Sequence, residues 1–465
     1  MSALLWTVTL PTGWWLFALF IGVFVGVSGL SWLASFGVML TLAPLRALIV
    51  TQSPLQLPLE IGQLCFIAFL GFGISYALLR GYRIAWKPTP PLTALMVFVF
   101  VSGATLPLSW SFQAALVEWL KWASIAILCV SLSFLLHAQQ WRWAMAWLVF
   151  SAMANALVGI YIHYGGSGAE HMLISAEQGT FRAFGTFEQP NPFGGFMGLV
   201  LPIAISTCVH HMLLGWQHKQ LRQVAYGVLF AVASALIGAG LFMSWSRGAW
   251  LSIVVALSGM VVLLPRKLSQ SVALAVGVSG LVAGIWLSGI LPASIQSRIA
   301  SSTTDFFAFD DVRGVEITSE NFAVVERLAH WQAALNMAHD HLWLGVGFGN
   351  YEVAYPQYRL LYWTEALGHA HNYYLNLLAE VGVVGLVTYV TLVLVQLVSL
   401  WHIRRRHPSA AVRWACLGMM GSWFYLSSHS LLDNLYVNNL FLHVGVIVAI
   451  TSAFYQQTFD VTTLE

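Results

Sequence analysis

HAHNYYLNLLAEVGVVGLVTYVTLVLVQLVSLWHIRRR (residues 369–406) is the stretch whose reading decides the fold. From 375 to 400 the chain is apolar, with Glu380 its one charged side chain. A helix needs about 20 such residues to cross the roughly 30 Å hydrocarbon layer of a bilayer. The run ends on Arg404, Arg405 and Arg406, and basic flanks of this kind stay on the cytoplasmic side. His369 and His371, which precede the run, are therefore expected at or just below the outer membrane surface.

Working outward, apolar runs recur along nearly the whole chain, at 14–50, 58–79, 90–108, 113–136, 143–163, 192–213, 223–243, 248–264, 270–291, 375–400, 411–429 and 439–456. The first is long enough for one bent span or two short ones. Only 8% of residues are charged, against about 25% in soluble domains, so the solvent of this chain is mostly lipid. Lys and Arg alternate between loops: Arg80, Arg83, Lys87, Arg142, Lys219, Arg222, Arg266, Lys267, Arg404–Arg406 and Arg413 define the inside. The expectation is an all-α polytopic transmembrane helical bundle of about 12 spans with both termini inside. Trp14, Trp15, Trp110, Trp119, Trp141, Trp143 and Trp401 sit at run ends and read as an interfacial belt. The four cysteines lie in apolar runs with no pairing pattern.

The expected organisation is a bundle over 1–291, one large periplasmic (extracytoplasmic) helical loop over 292–374, and three C-terminal transmembrane helices over 375–465. The loop holds Asp305, Asp310, Asp311, Glu316, Glu320, Glu326, Asp340, Glu352 and Glu365, half of the chain's 18 acids. Between Phe322 and Ala338 the spacing predicts a helix, with Val325, Leu328, Trp331, Leu335 and Met337 near one stripe and Glu326 and Arg327 on the other side. LGVGFGNY (344–351) predicts a tight turn returning toward the membrane.

The outer segments carry the polar chemistry. Imidazole suits proton transfer near neutral pH, which makes His371 and His369 candidates for catalysis; interfacial histidines bonding loop backbone are the plain alternative. A metal shared by His369, His371, His339 and His341 is not expected, because no Cys or carboxylate stands at ligand spacing. Arg182, in FRAFGTFEQPNPFGGFMG (181–198), and Arg247, in SWSRGAWLS (244–252), lie at outer ends of spans. One such arginine reads as snorkelling; two on the histidine side point to an anionic ligand held by guanidinium forks. Asp433, in SHSLLDNLYVNN (428–439), could orient a histidine, bind a sugar hydroxyl or cap a helix. Glu380 is a buried acid of the kind often functional, with pairing to an Arg or a helix end as the structural alternative.

Taken together, RAFGTFEQPNPFGGFMG, SRGAWL, ERLAHWQAALNMAHDHLWLGVGFGNY and HAHNYYLNLLAEVGVVGL resemble the O-antigen ligase and polymerase superfamily, over about 181–386. The resemblance implies a GT-C-like membrane glycosyltransferase of the bacterial inner (cytoplasmic) membrane, working on the periplasmic side without nucleotide sugar, metal or other cofactor. It implies a glycan donor on undecaprenyl diphosphate and an acceptor that is a lipid A core-like glycolipid or another glycan, with lipid bilayer and no nucleic acid among the partners. The family's HN histidine falls on His371, with His369 open to the same role, and its outer arginines fall on Arg182 and Arg247. Gln189, Asn191, Asn372, Glu380, Asp433 and Arg327 are the further substrate-binding or orienting candidates. In the expected reaction, Arg182 and Arg247 stabilise the departing diphosphate, while His371 takes the proton of the attacking hydroxyl and the anomeric centre inverts. O-antigen polymerase and protein O-oligosaccharyltransferase are the neighbouring alternatives. A bicarbonate or small-solute transporter is the alternative of another class.

Overall fold

The computed structural model describes residues 31–52, 60–81, 88–136, 140–166, 172–175, 178–265, 267–290, 296, 311–318 and 321–459. Trp14, Trp15, the first part of the 14–50 run, Arg83, Lys87, Arg266, Arg298, Asp305, Asp310 and Glu320 lie outside the described residues. Among the described residues, regular structure is helical apart from a two-stranded antiparallel ribbon, Leu173–Ser175 with Thr180–Phe181. The helices are α1 (Trp32–Leu42), α2 (Arg46–Gln52), α3 (Ile61–Leu79), α4 (Pro90–Ala104), α5 (Phe112–Leu135), α6 (Trp141–His163), α7 (Pro190–His218), α8 (Leu221–Met243), α9 (Arg247–Leu263), α10 (Leu268–Leu287), α11 (Phe322–Asp340), α12 (Tyr351–Tyr358), α13 (Tyr373–Arg406), α14 (Ala410–His429) and α15 (Leu440–Phe459). Ten helical stretches among the described residues are long and apolar enough to cross a membrane. Of the spans expected from the sequence, α9 is apolar but only 17 residues long, and α14 is not among those ten.

Two of the spanning helices, α7 and α15, are enclosed by the others over most of their length. The PNPFGGFMG stretch explains how α7 becomes central. Pro190 and Pro192 open the helix where missing N–H groups cost nothing, and the small residues behind them admit neighbours. Gly198 lies under the Tyr425 ring, Gly195 under Leu435 and His429, and the Tyr425 hydroxyl donates to Gly194 O at 3.0 Å. Charges in or at the ends of the spans form pairs: Glu118 with Lys121 at 2.6 Å within α5, and Glu60, which precedes α3, with Arg46 at 2.5 Å.

The chain departs most from a plain bundle in α13. At 34 residues and about 1.5 Å each it is about 50 Å long, well beyond the hydrocarbon layer. Gly382 interrupts it with φ 64° and ψ −168°, a conformation almost confined to glycine. The break frees backbone groups that would be costly to leave unpaired. Residues 342–347 satisfy them. Val346 and Gly347 donate to Ala379 O and Glu380 O at 2.9 Å each, while Val383 and Val384 donate to Leu342 O and Trp343 O at 2.9 and 3.4 Å. Gly345, itself at φ 67°, lies directly against the backbone of Glu380, and Gly382 against that of Trp343 and Leu344. The LGVGFGNY stretch is thus a turn, as its glycines predict, but one that inserts its backbone into a broken helix. The Glu380 carboxylate accepts the N–H of Tyr351 at 3.0 Å, so this acid holds the start of α12.

Beneath the 369–372 loop lies an aromatic cluster drawn from four parts of the chain. Trp122 meets Phe98 edge-on at 4.5 Å centroid separation and Tyr436 at a tilt at 4.7 Å. Tyr373 meets Tyr436 at 4.7 Å and Tyr389 at 5.3 Å. Each such pair contributes about 0.5–1.5 kcal/mol beyond area burial. The cluster ties the first turn of α13 to α4, α5 and the segment before α15.

The helix predicted between Phe322 and Ala338 is α11, with Val325, Leu328 and Met337 buried. Leu335 is 48% exposed rather than on the buried stripe, because small residues, Ala333, Ala334 and Ala338, make that contact instead. Glu326 and Arg327 are half-buried rather than solvated, because the helix has a second polar partner on that side, described below.

Because Gly382 and Gly345 both meet backbone that cannot yield, Gly382→Ala is expected to cost at least about 1–3 kcal/mol from its φ alone. A lower melting temperature of the detergent-solubilised protein checks it, with Gly277→Ala, whose added Cβ meets nothing within 4 Å, as the unaffected control.

Candidate functional site

Local structure around the histidines is set by Asn372. Its side-chain oxygen accepts from Tyr374 N and Leu375 N at 3.1 Å each, capping α13. Asn372, which the sequence offers as a substrate-binding or orienting candidate, caps the helix in this structure. The segment before it is pinned by Ala370 N donating to Asn376 Oδ1 at 3.0 Å and by Tyr373 N donating to Ser430 O at 2.7 Å. Between these anchors His371 takes φ 52°, left-handed backbone that non-glycine residues seldom adopt.

The two imidazoles lie 4.5 Å apart between ring centroids, and both face one carboxylate. His371 Nδ1 is 3.6 Å and His369 Nε2 3.7 Å from Asp433 Oδ1. The His371 amide donates to His369 Nδ1 at 3.1 Å, which assigns the His369 proton to Nε2, toward Asp433. Neither ring nitrogen of His371 has a hydrogen-bond partner among the described residues, although both are shielded from solvent. Asp433 also accepts the backbone N–H of Asn434 at 2.9 Å.

Helix α11 supplies the remaining wall. His330 lies 5.7 Å from His371 between centroids, stacks on Tyr355 at 4.9 Å, and shares a 2.9 Å hydrogen bond with the Tyr351 hydroxyl. Arg327, one turn earlier, donates to Ala323 O at 3.2 Å, and its charge reaches His369 and Asp433. Burial lowers the His369 pKa to about 4, helped by the neighbouring His371 and Arg327 charges and opposed by Asp433. Burial likewise takes His330 down to about 3, with His371 and His369 adding to it. Burial pushes the Asp433 carboxyl up, but the facing histidines and Arg327 outweigh it and hold the group below the usual carboxylate range. Glu326 is raised by burial, against the pull of His371 and Arg327.

Arg182 reaches the turn that leads directly into Arg247. The Arg182 side chain donates from Nε to Ser244 O at 3.2 Å and from its terminal nitrogen to Trp245 O at 3.4 Å. Arg247 opens α9 directly after, and Trp245 between them has φ 52°. Gly248 then packs on Leu432 and His429, and His429 O accepts the amide of Asp433 at 3.0 Å. The arginine turn therefore abuts the turn that carries the carboxylate. Gln189 and Asn191 stand at the start of α7; no hydrogen bond joins either to the histidines among the described residues, and Gln189 is exposed. His330 is the residue that spacing arguments missed, while His429 belongs to the SHSLLDNLYVNN stretch that the sequence singles out without giving this histidine a role. His330 follows Arg327 by three on a helix, which alone places the two on one side. His429 is buried, with both ring nitrogens lacking a partner among the described residues.

His369, His371 and Asp433 each offer one ligand atom, and these atoms lie within 4.8 Å of one another. The carboxylate that local spacing does not provide is brought from 62 residues downstream by the fold, giving a two-histidine, one-carboxylate face of the kind that can hold a divalent metal.

Fold and site together define a multi-pass, all-α membrane protein with a buried histidine–carboxylate centre beside guanidinium groups. Residues 232–390 match the family model for O-antigen ligase, and over that stretch the chain is O-antigen ligase-like. The match takes in Arg247, Arg327, His330, His369, His371 and Glu380, and stops short of Asp433 and Arg182. No curated protein sequence matches the chain significantly.

The lowered histidines make stability pH-dependent. A group with pKa 6.5 unfolded and about 4 folded takes up its proton more readily in the unfolded chain, so stability falls as pH drops from about 6.5 toward 4. Asp433, held low, adds loss in the same direction below about pH 3.8. The melting temperature in detergent is expected to decline across pH 6.5 to 4, and His369→Gln to flatten that decline.

Proposed function

We propose that this chain is a glycosyltransferase that moves a glycan from undecaprenyl diphosphate to an acceptor hydroxyl on the outer face of the cytoplasmic membrane, with the segment 292–374 lying outside. The observation that carries the reading is His371, held in strained backbone beside Asp433 with a ring nitrogen free of any protein partner among the described residues. Strain of this kind collects where a side chain must be aimed.

In this mechanism Asp433, ionised and within 3.6 Å of Nδ1, orients the His371 ring and stabilises the imidazolium that forms. Nε2 takes the proton from the acceptor hydroxyl as its oxygen attacks the anomeric carbon. The bond to the diphosphate oxygen breaks on the opposite side, and the configuration inverts. Arg247 and Arg182, with Arg327 nearer the histidines, receive the charge that develops on the leaving diphosphate. His369, whose Nδ1 is occupied by its own loop, supports the carboxylate.

A ligase, a polymerase and a protein O-oligosaccharyltransferase would share this chemistry and differ in the acceptor. A broken helix is also a device of transporters, where the freed backbone binds ions. Here the groups freed at Gly382 are taken by residues 342–347, which favours the enzyme.

In purified, folded protein His371→Ala is expected to lower transfer about 10²–10⁴-fold, and Arg247→Ala about 10²–10³-fold. Full activity in either variant overturns that residue's role. Transfer is expected to persist after chelation by EDTA; loss restored by a divalent metal would assign His369, His371 and Asp433 to a metal instead. In cells lacking the gene, surface glycan analysis separates the branches: unattached but full-length chains indicate a ligase, shortened chains a polymerase.

A further inference from the structure

A cavity of about 470 Å³ is lined by residues of α5, of the loop before α12, of α13 and of the turn after Asp433, and no residue of the arginine turn is among those lining it. This volume falls within the roughly 300–1,000 Å³ of sites that take small molecules. Its wall includes Gly368, next to His369, and Asn434, next to Asp433, so it adjoins the centre just described. Asn376, whose side chain holds the amide of Ala370 between the histidines, also lines it.

The chemistry of the lining differs from that of the arginine side. Gln113, Asn376 and Asn434 present amides, and Glu118 and Glu380 present carboxyl groups. The one lysine of the wall, Lys121, is spent in an ion pair with Glu118 at 2.6 Å. Amides and carboxylates offer donors and acceptors in both senses, the set that hydroxyl and acetamido groups of a sugar satisfy. A phosphate would meet the Glu352 and Glu380 carboxyl groups with the one cation of the wall already paired to Glu118, which disfavours an anion here. The two flanks of Asp433 are thus chemically opposed: Leu432 and His429 pack against the arginine turn, and Asn434 faces the amide and carboxyl cavity.

We infer that this cavity is a subsite for an uncharged or amine-bearing glycosyl unit, held beside the loop that carries the histidines. The inference rests on the glycosyltransferase reading for its place in the reaction, but not for the binding itself. The glycosyl unit can come from the acceptor or from the donor glycan, and kinetics distinguish the two.

Binding is tested on the full-length protein in detergent by saturation-transfer difference NMR with methyl glucoside, methyl N-acetylglucosaminide and methyl 2-amino-2-deoxyglucoside as probes. At least one is expected to receive saturation from the wild type and to lose most of it in Ala114→Trp, which fills the cavity, and in Gln113→Ala, which only removes an amide. Absence of signal for all three, or equal signal in both variants, overturns the inference. In the transfer assay the same variants are expected to raise KM at least 10-fold with kcat little changed, for the acceptor if the subsite is the acceptor's and for the donor if it is the donor's. An active enzyme whose two KM values are both unmoved also overturns it. A wild type that binds glycosides at this cavity but transfers nothing would fail the proposed function and leave the subsite standing.

Discussion

The outer architecture depends on one backbone exchange: the hydrogen bonds that α13 gives up at Gly382 are remade with residues 342–347. Without that pairing, α13 would be a continuous rod and the 342–351 loop would have no seat. With it, α11, α12 and the loop between them are fixed to a spanning helix by main-chain bonds, which demand a register that side-chain packing alone does not. Glu380 completes the joint by holding Tyr351 N, and Tyr351 in turn bonds His330. Helix α11, with Arg327 and His330, is thereby set facing the histidine loop.

The centre itself is a balance of burial against charge. Two imidazoles, one carboxylate and one guanidinium occupy a space too dry for charge to be screened. Burial favours the neutral imidazole of His369, while the facing histidines and Arg327 favour the ionised carboxylate of Asp433. The left-handed backbone at His371 is sustained by anchors on either side, the Asn376 and Asn372 side chains and the Ser430 carbonyl, each a strong local bond. The aromatic cluster under Tyr373 gives those anchors a rigid base.

Much of this is legible in the chain before any coordinates. Apolar runs and alternating Lys and Arg reveal a polytopic helical protein because lipid imposes both patterns directly on composition. His369, His371, Asp433 and the two span-end arginines stand out because polar groups there are rare. The register of Asp433 against the histidines is not legible, since nothing in residues 369–371 names a partner at 433. Nor is the break at Gly382: a glycine within an apolar helix is unremarkable in sequence, and only the opposing backbone of Trp343 and Leu344 shows why Cβ is excluded. Leu335 misleads for a related reason, as periodicity cannot tell which partner helix prefers alanines.

The long reach of Asp433 has a consequence for biogenesis. Membrane proteins are inserted from the N-terminus as translation proceeds, at about 5–20 residues per second. Arg182, Arg247, Arg327 and both histidines all emerge from the ribosome before α14 and the carboxylate that follows it. The half-built centre therefore spends seconds in the bilayer with its imidazoles unaimed. Asp433 arrives only with the turn between α14 and α15, so a nascent or prematurely terminated chain holds the imidazoles without the carboxylate that faces them.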